Sequence, residues 1–253
     1  MRHTKQKCLV QNKTLPAIKG FQEVTLLDWD GKVASIIFLA GCNFRCGFCH
    51  ARSLVIGGDG LAPIPFEDIR SFLKEKKGWV DGVIITGGEP TIDEEKLFTL
   101  TSAIKELGFL IKLDTNGTNP KALKRLIEAG MLDYISMDIK APLHPERYKN
   151  AAGVDVEITD VIHAKDVILN SSIDYEFRTT VMPELINISD IAEIAKSIMP
   201  AKKYCIQQFM PRDLIDPSFL EVKPYPPAQL HKMAAIASEY LTYVIVRNTH
   251  NLR

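Results

Sequence analysis

The sequence predicts an α/β fold around a parallel sheet, either open and doubly wound or curved toward a barrel. Three observations carry this. Short apolar runs rich in Val, Ile, Phe and Tyr alternate with runs of helical period from Val33 to the end of the chain. Strand-then-helix order implies right-handed crossovers, and so parallel neighbours. No linker rich in Pro, Gly or Ser and no low-complexity tract interrupts the alternation, so residues 21–253 are expected to form one domain behind an N-terminal extension, 1–20.

The elements follow in order. Val24 to Leu27 and Val33 to Leu39 flank Asp30-Gly31, which reads as a hairpin with a two-residue turn. Phe66 to Lys76 reads as a helix with Ile69, Phe72 and Leu73 on one face, and Gly82 to Thr86 as a buried strand. Glu94 to Leu107 aligns Leu97, Leu100, Ile104 and Leu107 as a helix stopped at Gly108. Leu110 to Asp114 is a strand, and Pro120 to Ala129 a helix with Pro at its start and Gly130 past its end. Tyr134 to Ile139 is a strand, Asp160 to Asn170 a helix, Tyr175 to Val181 a strand, and Ile191 to Ile198 marks a helix. Tyr204 to Phe209 is the sixth strand of the series, and a helix from Pro227 to Leu241 precedes Tyr243 to Arg247. Six strand-then-helix units result. Cys42, Gly87, Asp114, Asp138, Arg178 and Gln208 all fall at or near strand C-terminal ends, the edge where parallel sheets and barrels place their sites.

Composition narrows the function. The 253 residues are 46% hydrophobic, enough for a sizeable core and too apolar for a disordered chain. Lys+Arg and Asp+Glu both number 31, and no block of like charge occurs, so nonspecific nucleic-acid binding lacks its electrostatic signature. No apolar stretch is long enough to span a bilayer, and the start is polar, so a soluble cytoplasmic protein is expected.

Three of the five cysteines, Cys42, Cys46 and Cys49, lie within eight residues, a poor disulfide framework. Their C-x3-C-x2-C spacing can wrap one loop around an iron–sulfur cubane, each thiolate taking one iron. Three ligands leave one iron open to a chelating small molecule. Zinc completed by His50, and three buried structural cysteines, are the alternatives, although adjacent Cys49 and His50 would strain a tetrahedral site. Asp114 and Asp138 end neighbouring strands, so their repulsion calls for a cation or a proton, while Asp114 could equally cap the turn with Asn116-Gly117.

Cys42, Cys46 and Cys49, with Phe48 before the last, followed by Gly87-Gly88-Glu89-Pro90 after the next strand, resemble the radical S-adenosylmethionine superfamily. Asp114-Thr115-Asn116-Gly117, Met137-Asp138-Ile139-Lys140 and the Arg178 strand resemble its glycyl-radical-enzyme activases, and most of all the activating proteins of anaerobic ribonucleoside-triphosphate reductase, over about Leu15 to Pro211. The resemblance implies a partial (β/α)6 TIM-like barrel. It also implies a [4Fe-4S] cluster on the three cysteines, with S-adenosylmethionine chelating the unique iron.

The remaining roles come from the same resemblance. Gly87 and Gly88 would let the backbone approach the ligand and accept from its ammonium, with Glu89 anchoring the turn. Asp114, Thr115 and Asp138, with a carbonyl near Ser136, would hold a monovalent cation, and Asn116 counts with the ligand-binding set. Lys140 and Arg178 would meet the ligand carboxylate or ribose. Phe48 would lie against adenine, and Gln208 would bond adenine or ribose. Ala51 departs from the Asn frequent after the histidine. Cys8 and Cys205 are too few for a second cluster, and His144, His163, His231 and His250 show no ligand spacing.

The expected activity is glycyl-radical formation on a partner enzyme, anaerobic ribonucleotide reductase first, with flavodoxin or ferredoxin as reductant. The alternatives are a small-molecule or tRNA-modifying radical enzyme, such as a carboxy-deazaguanine synthase, and a non-enzymatic zinc module.

Overall fold

The computed structural model describes residues 14–56 and 60–247; Cys8 and His250 lie outside them. One eight-stranded sheet runs in chain order. Its strands are β1 (Ile18–Thr25), β2 (Ala34–Leu39), β3 (Gly82–Gly87), β4 (Leu110–Thr115), β5 (Tyr134–Asp138), β6 (Asp174–Val181), β7 (Tyr204–Gln208) and β8 (Val244–Arg247). β1 pairs antiparallel with β2, and every later pair is parallel. The sheet curves without closing, as an open barrel, and β8 adds a parallel strand to the six expected.

A short helix, α1 (Arg52–Val55), follows the cysteine loop, and the outer face is covered by α2 (Phe66–Glu75), α3 (Glu94–Glu106), α4 (Pro120–Glu128), α5 (Pro145–Ala152), α6 (Ile158–Leu169), α7 (Ile188–Ser197) and α8 (Pro227–Ala237). Their starts obey ordinary capping chemistry. Asp93 accepts from Lys96 N, Asn119 from Ala122 N, and Asn187 forms a reciprocal box with Asp190. Leu97, Leu100 and Ile104 of α3 and Leu123 and Leu126 of α4 pack on the outward residues Ile111, Leu113, Ile135 and Met137 in one continuous core. No helix among the described residues is long and apolar enough to cross a membrane.

Two local expectations change. β1 begins at Ile18, inside the proposed extension, and the β1–β2 connection is an eight-residue excursion rather than a two-residue turn. Thr25 Oγ1 and Asp28 Oδ2 close a local bend at 2.5 Å, and Trp29 folds inward to pack with Ala34, Ile36 and Ile84. Burying that indole outweighs the tight turn.

Candidate active site

The strand C-terminal ends converge on a cavity of about 220 Å³. Cys42, Cys46 and Cys49 line one side of it; Asp114, Asp138, Lys140 and Arg178 line another, with the Thr86–Glu89 backbone between. The thiols are free. Phe44 N donates to Cys42 Sγ at 3.3 Å and Ala51 N to Cys49 Sγ at 3.4 Å, the backbone donors that thiolate ligands of a cluster use. Burial pushes the Cys42 thiol up and the Cys46 thiol to about 12, so binding a metal there must displace protons.

Three neighbours clamp the cysteine loop. Arg45 N donates to Ala152 O at 2.7 Å, and left-handed Gly153, which ends α5, sits where a Cβ would meet Arg45 O at 2.2 Å. Asn116 Nδ2 donates to Asn43 Oδ1 and Asn43 Nδ2 to Thr118 Oγ1, both at 2.8 Å. On the third side, Asp216 N donates to Gly47 O at 3.0 Å, against the 3-10 turn Pro217–Glu221.

The Gly-Gly-Glu turn holds the same loop from beneath. Gly88 N donates to Leu39 O at 2.9 Å and Glu89 N to Gly41 O at 2.8 Å. A Cβ on Gly88 would stand 1.7 Å from Gly41 O, and one on Gly87, at φ +125°, 2.3 Å from Leu39 O. These glycines therefore permit contact with the protein's own backbone; the expected reason, room for a ligand, is not the first constraint. The Glu89 carboxylate, 3% exposed, accepts from Thr91 N (3.0 Å), Thr91 Oγ1 (2.6 Å), Thr115 Oγ1 (2.8 Å) and Asn116 N (2.6 Å), tying the β3 end to the β4 end. Burial pushes its pKa up against those four bonds.

Arg178 bridges the two strand-end acids, Nη1 to Asp114 Oδ2 and Nε to Asp138 Oδ1, each at 3.1 Å, and Lys140 Nζ takes Asp138 Oδ2 at 3.0 Å. Burial works against Lys140 and Arg178, but the acids beside them hold both pKa values above the ordinary range. Burial likewise opposes the Asp138 charge, and Arg178 with Lys140 brings its pKa below the ordinary value. The facing acids that motivated a monovalent cation are thus compensated by Arg178 and Lys140, and the Thr115 hydroxyl is engaged by Glu89.

Phe48, 5% exposed, lines the cavity with Phe44, Val55, Thr180 and Ile215, which sequence reasoning did not single out. Gln208 is the predicted residue the structure does not bring in. It pairs in register with Val181, one position past the pair Thr180 and Gln207, and its Nε2 donates to Tyr225 O at 2.5 Å on the outer face. Strand parity places Gln207, not Gln208, on the inner side. His50 Nδ1 lies 3.2 Å from Arg212 O, and no group of three His, Cys, Asp or Glu among the described residues could hold a single metal ion. The backbone donors to Cys42 Sγ and Cys49 Sγ suit thiolate ligands, and His50 Nδ1 faces Arg212 O.

The Radical SAM superfamily profile matches residues 36–198. Among curated proteins, the chain is 30% identical to MJ1227 of Methanocaldococcus jannaschii, a candidate glycyl-radical enzyme activating enzyme, over 91% of this chain and 95% of that one. It is 26% identical to the pyruvate formate-lyase 1-activating enzyme of Escherichia coli K12, over 88% and 86%. Against the 7-carboxy-7-deazaguanine synthase of Neisseria meningitidis it is 29% identical over 62% and 68%. Streptococcus suis SuiB, crystallised with S-adenosylmethionine, superposes with a TM-score of 0.61 at 17% identity over 83% of this chain, which shows a shared fold. The chain spans 46% of SuiB's length.

Proposed function

The chain belongs to the Radical SAM superfamily, and from that premise we propose that it is a glycyl-radical-enzyme activase, which removes a hydrogen atom from a glycine Cα of a partner enzyme. The observation that carries the step beyond the superfamily is similarity to MJ1227 along nearly the whole of both chains.

Cys42, Cys46 and Cys49 would hold a [4Fe-4S] cluster, which with bound S-adenosylmethionine would supply the one-electron chemistry for taking a hydrogen atom from the partner's glycine. The chain's own residues orient and enclose. Arg178 and Lys140 are the cations available to the ligand carboxylate, and Asp114 and Asp138 hold them in place. Glu89 and Asn116 fix the loops that carry the thiols. Phe48, Val55 and Ile215 give the cavity an apolar wall that suits adenine and excludes water.

The partner we propose is anaerobic ribonucleotide reductase, with a pyruvate formate-lyase-like enzyme next, and the electron comes from flavodoxin or ferredoxin. Free clustered thiols fit a reducing compartment, hence the cytoplasm. The test is electron paramagnetic resonance on the reduced, reconstituted protein mixed with S-adenosylmethionine and each candidate partner. A doublet that loses its α-hydrogen splitting when the partner glycine is deuterated supports the reading. Turnover of a small molecule or tRNA with no radical in any glycyl-radical enzyme overturns it in favour of a carboxy-deazaguanine synthase-like enzyme, the second reading, which the Neisseria match favours.

A further inference from the structure

Below the cavity, the barrel interior holds buried charges that this chemistry does not use. Glu176, two residues before Arg178 on β6, is fully buried. It accepts from Arg247 Nη1 (2.7 Å) and Nη2 (2.9 Å) and Ser136 Oγ (2.9 Å), and pairs with Lys203 Nζ at 3.0 Å. Lys203 and Arg247 also reach Asp30 of the β1–β2 connection, at 2.5 and 3.3 Å. This closes the barrel at the end away from the cysteines.

Lys112 lies between that layer and the cavity. It stands two residues before Asp114 on β4, is 2% exposed, and its ammonium donates to Asp28 O. The same ammonium lies 3.7 Å from Asp114 Oδ1, 3.9 Å from Glu176 Oε1 and 5.4 Å from the Tyr134 ring centroid. Asp114 Oδ1 is buried and has no hydrogen-bond partner, while Oδ2 takes Arg178. Lys112 is thus a positive charge within 4 Å of that orphan oxygen.

We propose that Lys112 is a positioning residue for the ligand site: from beneath the cavity it holds the Asp114 carboxylate with Oδ2 turned to Arg178, and so sets the guanidinium that meets the ligand carboxylate. The inference rests on the reading that the ligand is S-adenosylmethionine. A buried acid shared with only one cation, itself shared with Asp138, would have no fixed orientation once the ammonium is removed. Glu176 keeps Arg247, Lys203 and Ser136 in that case, so the layer below stays satisfied.

The experiment compares wild type with Lys112→Met, which keeps the length of the stem, and Lys112→Gln, which keeps a donor for Asp28 O. Calorimetry of the reconstituted proteins gives the S-adenosylmethionine Kd and the number of sites; iron content and the melting temperature of the cluster-free proteins report the scaffold. The expected result is a Kd raised about tenfold in both variants, with iron content and sites per chain unchanged. Unchanged Kd in both variants overturns the inference. So does a fall in sites per chain at constant Kd, or failure of both variants to fold, since each makes the lysine structural. Wild type that does not bind S-adenosylmethionine overturns the reading beneath it, and the inference with it; wild type that binds beside variants that bind equally overturns the inference alone.

Discussion

Gly88→Ala separates two reasons for a glycine at the cavity. If Gly88 serves only ligand approach, the alanine variant should fold, load its cluster and fail to bind ligand. The structure predicts a different failure. The added methyl would sit 1.7 Å from Gly41 O and 2.4 Å from Gly41 C, so the turn must retreat by well over an ångström to reach ordinary contact. That movement breaks Gly88 N to Leu39 O and Glu89 N to Gly41 O, two bonds at the base of the cysteine loop. Overpacking costs roughly 1–3 kcal/mol and each lost bond about 1 kcal/mol, for a total of about 3–5 kcal/mol. In a domain of this size, where 1 kcal/mol moves the melting point by roughly 2–4 °C, the cluster-free variant should melt on the order of 10 °C below wild type. Gly31→Ala is the control: its Cβ would meet open space at φ +72°, so only strain of about 1 kcal/mol applies and the cluster should load normally. Calorimetric melting of the cluster-free proteins, before any ligand is added, decides the matter. A Gly88→Ala protein that melts with wild type and assembles full iron and sulfide would refute the packing argument.

Replacing Cys42, Cys46 or Cys49 by Ala should each abolish the cluster, whereas Cys205→Ala, at a buried β7 thiol away from the cavity, should keep about four iron and four sulfide per chain; iron and sulfide assays under anaerobic conditions check both. Gln208→Ala should leave the S-adenosylmethionine Kd unchanged and lower the melting temperature, because the side chain bonds Tyr225 O outside the barrel; a weakened Kd would return Gln208 to the site. Burial opposes the Glu176 charge, but Arg247, Lys112 and Arg178, together with Lys203, bring its pKa well below the ordinary value. A depressed folded-state pKa gives stability that is present above the unfolded value of about 4.3 and is lost as pH falls below it. Glu176→Gln should therefore destabilise at pH 7, and the gap from wild type should shrink as pH falls below about 4; a gap constant from neutral to acid pH would contradict the assignment.

The parallel sheet was legible because its strands are short apolar runs between Gly, Pro and Asp, and because α3 and α4 bury a regular stripe. Helix α5 was not, since only Tyr148, Ala151 and Ala152 of its eight residues are buried and the rest of Pro145–Ala152 is polar. Its contribution to the site, the Ala152–Gly153 clamp on Arg45, depends on a contact between residues more than a hundred positions apart. Asn43 escaped notice for the same reason: its partners Asn116 and Thr118 come from another strand end. Gln208 failed on parity. In β7, Tyr204, Cys205 and Ile206 are all buried, so the run has no polar alternation from which to read its inward face.

Hydrogen-bond capacity divides the motif residues by role where sequence could not. Glu89 lies on the cavity wall, yet its two carboxylate oxygens already accept four bonds from Thr91, Thr115 and Asn116. Asn116 gives its amide nitrogen to Asn43 and its oxygen to Thr118. A ligand that recruited Glu89 Oε1 or the Asn116 side-chain oxygen would have to break a bond that ties the strand ends together, whereas Glu89 Oε2 accepts one bond and Asn116 Nδ2 keeps a second N–H. Arg178 differs: Nε and Nη1 are engaged by Asp138 and Asp114, but five N–H groups exceed two acceptors, and the guanidinium lines the cavity. Lys140 likewise has three donors, of which Asp138 takes one. Donors in surplus at the rim favour an anionic group at the Arg178–Lys140 side, while the four bonds to Glu89 tie the Gly-Gly-Glu turn to the β4 end.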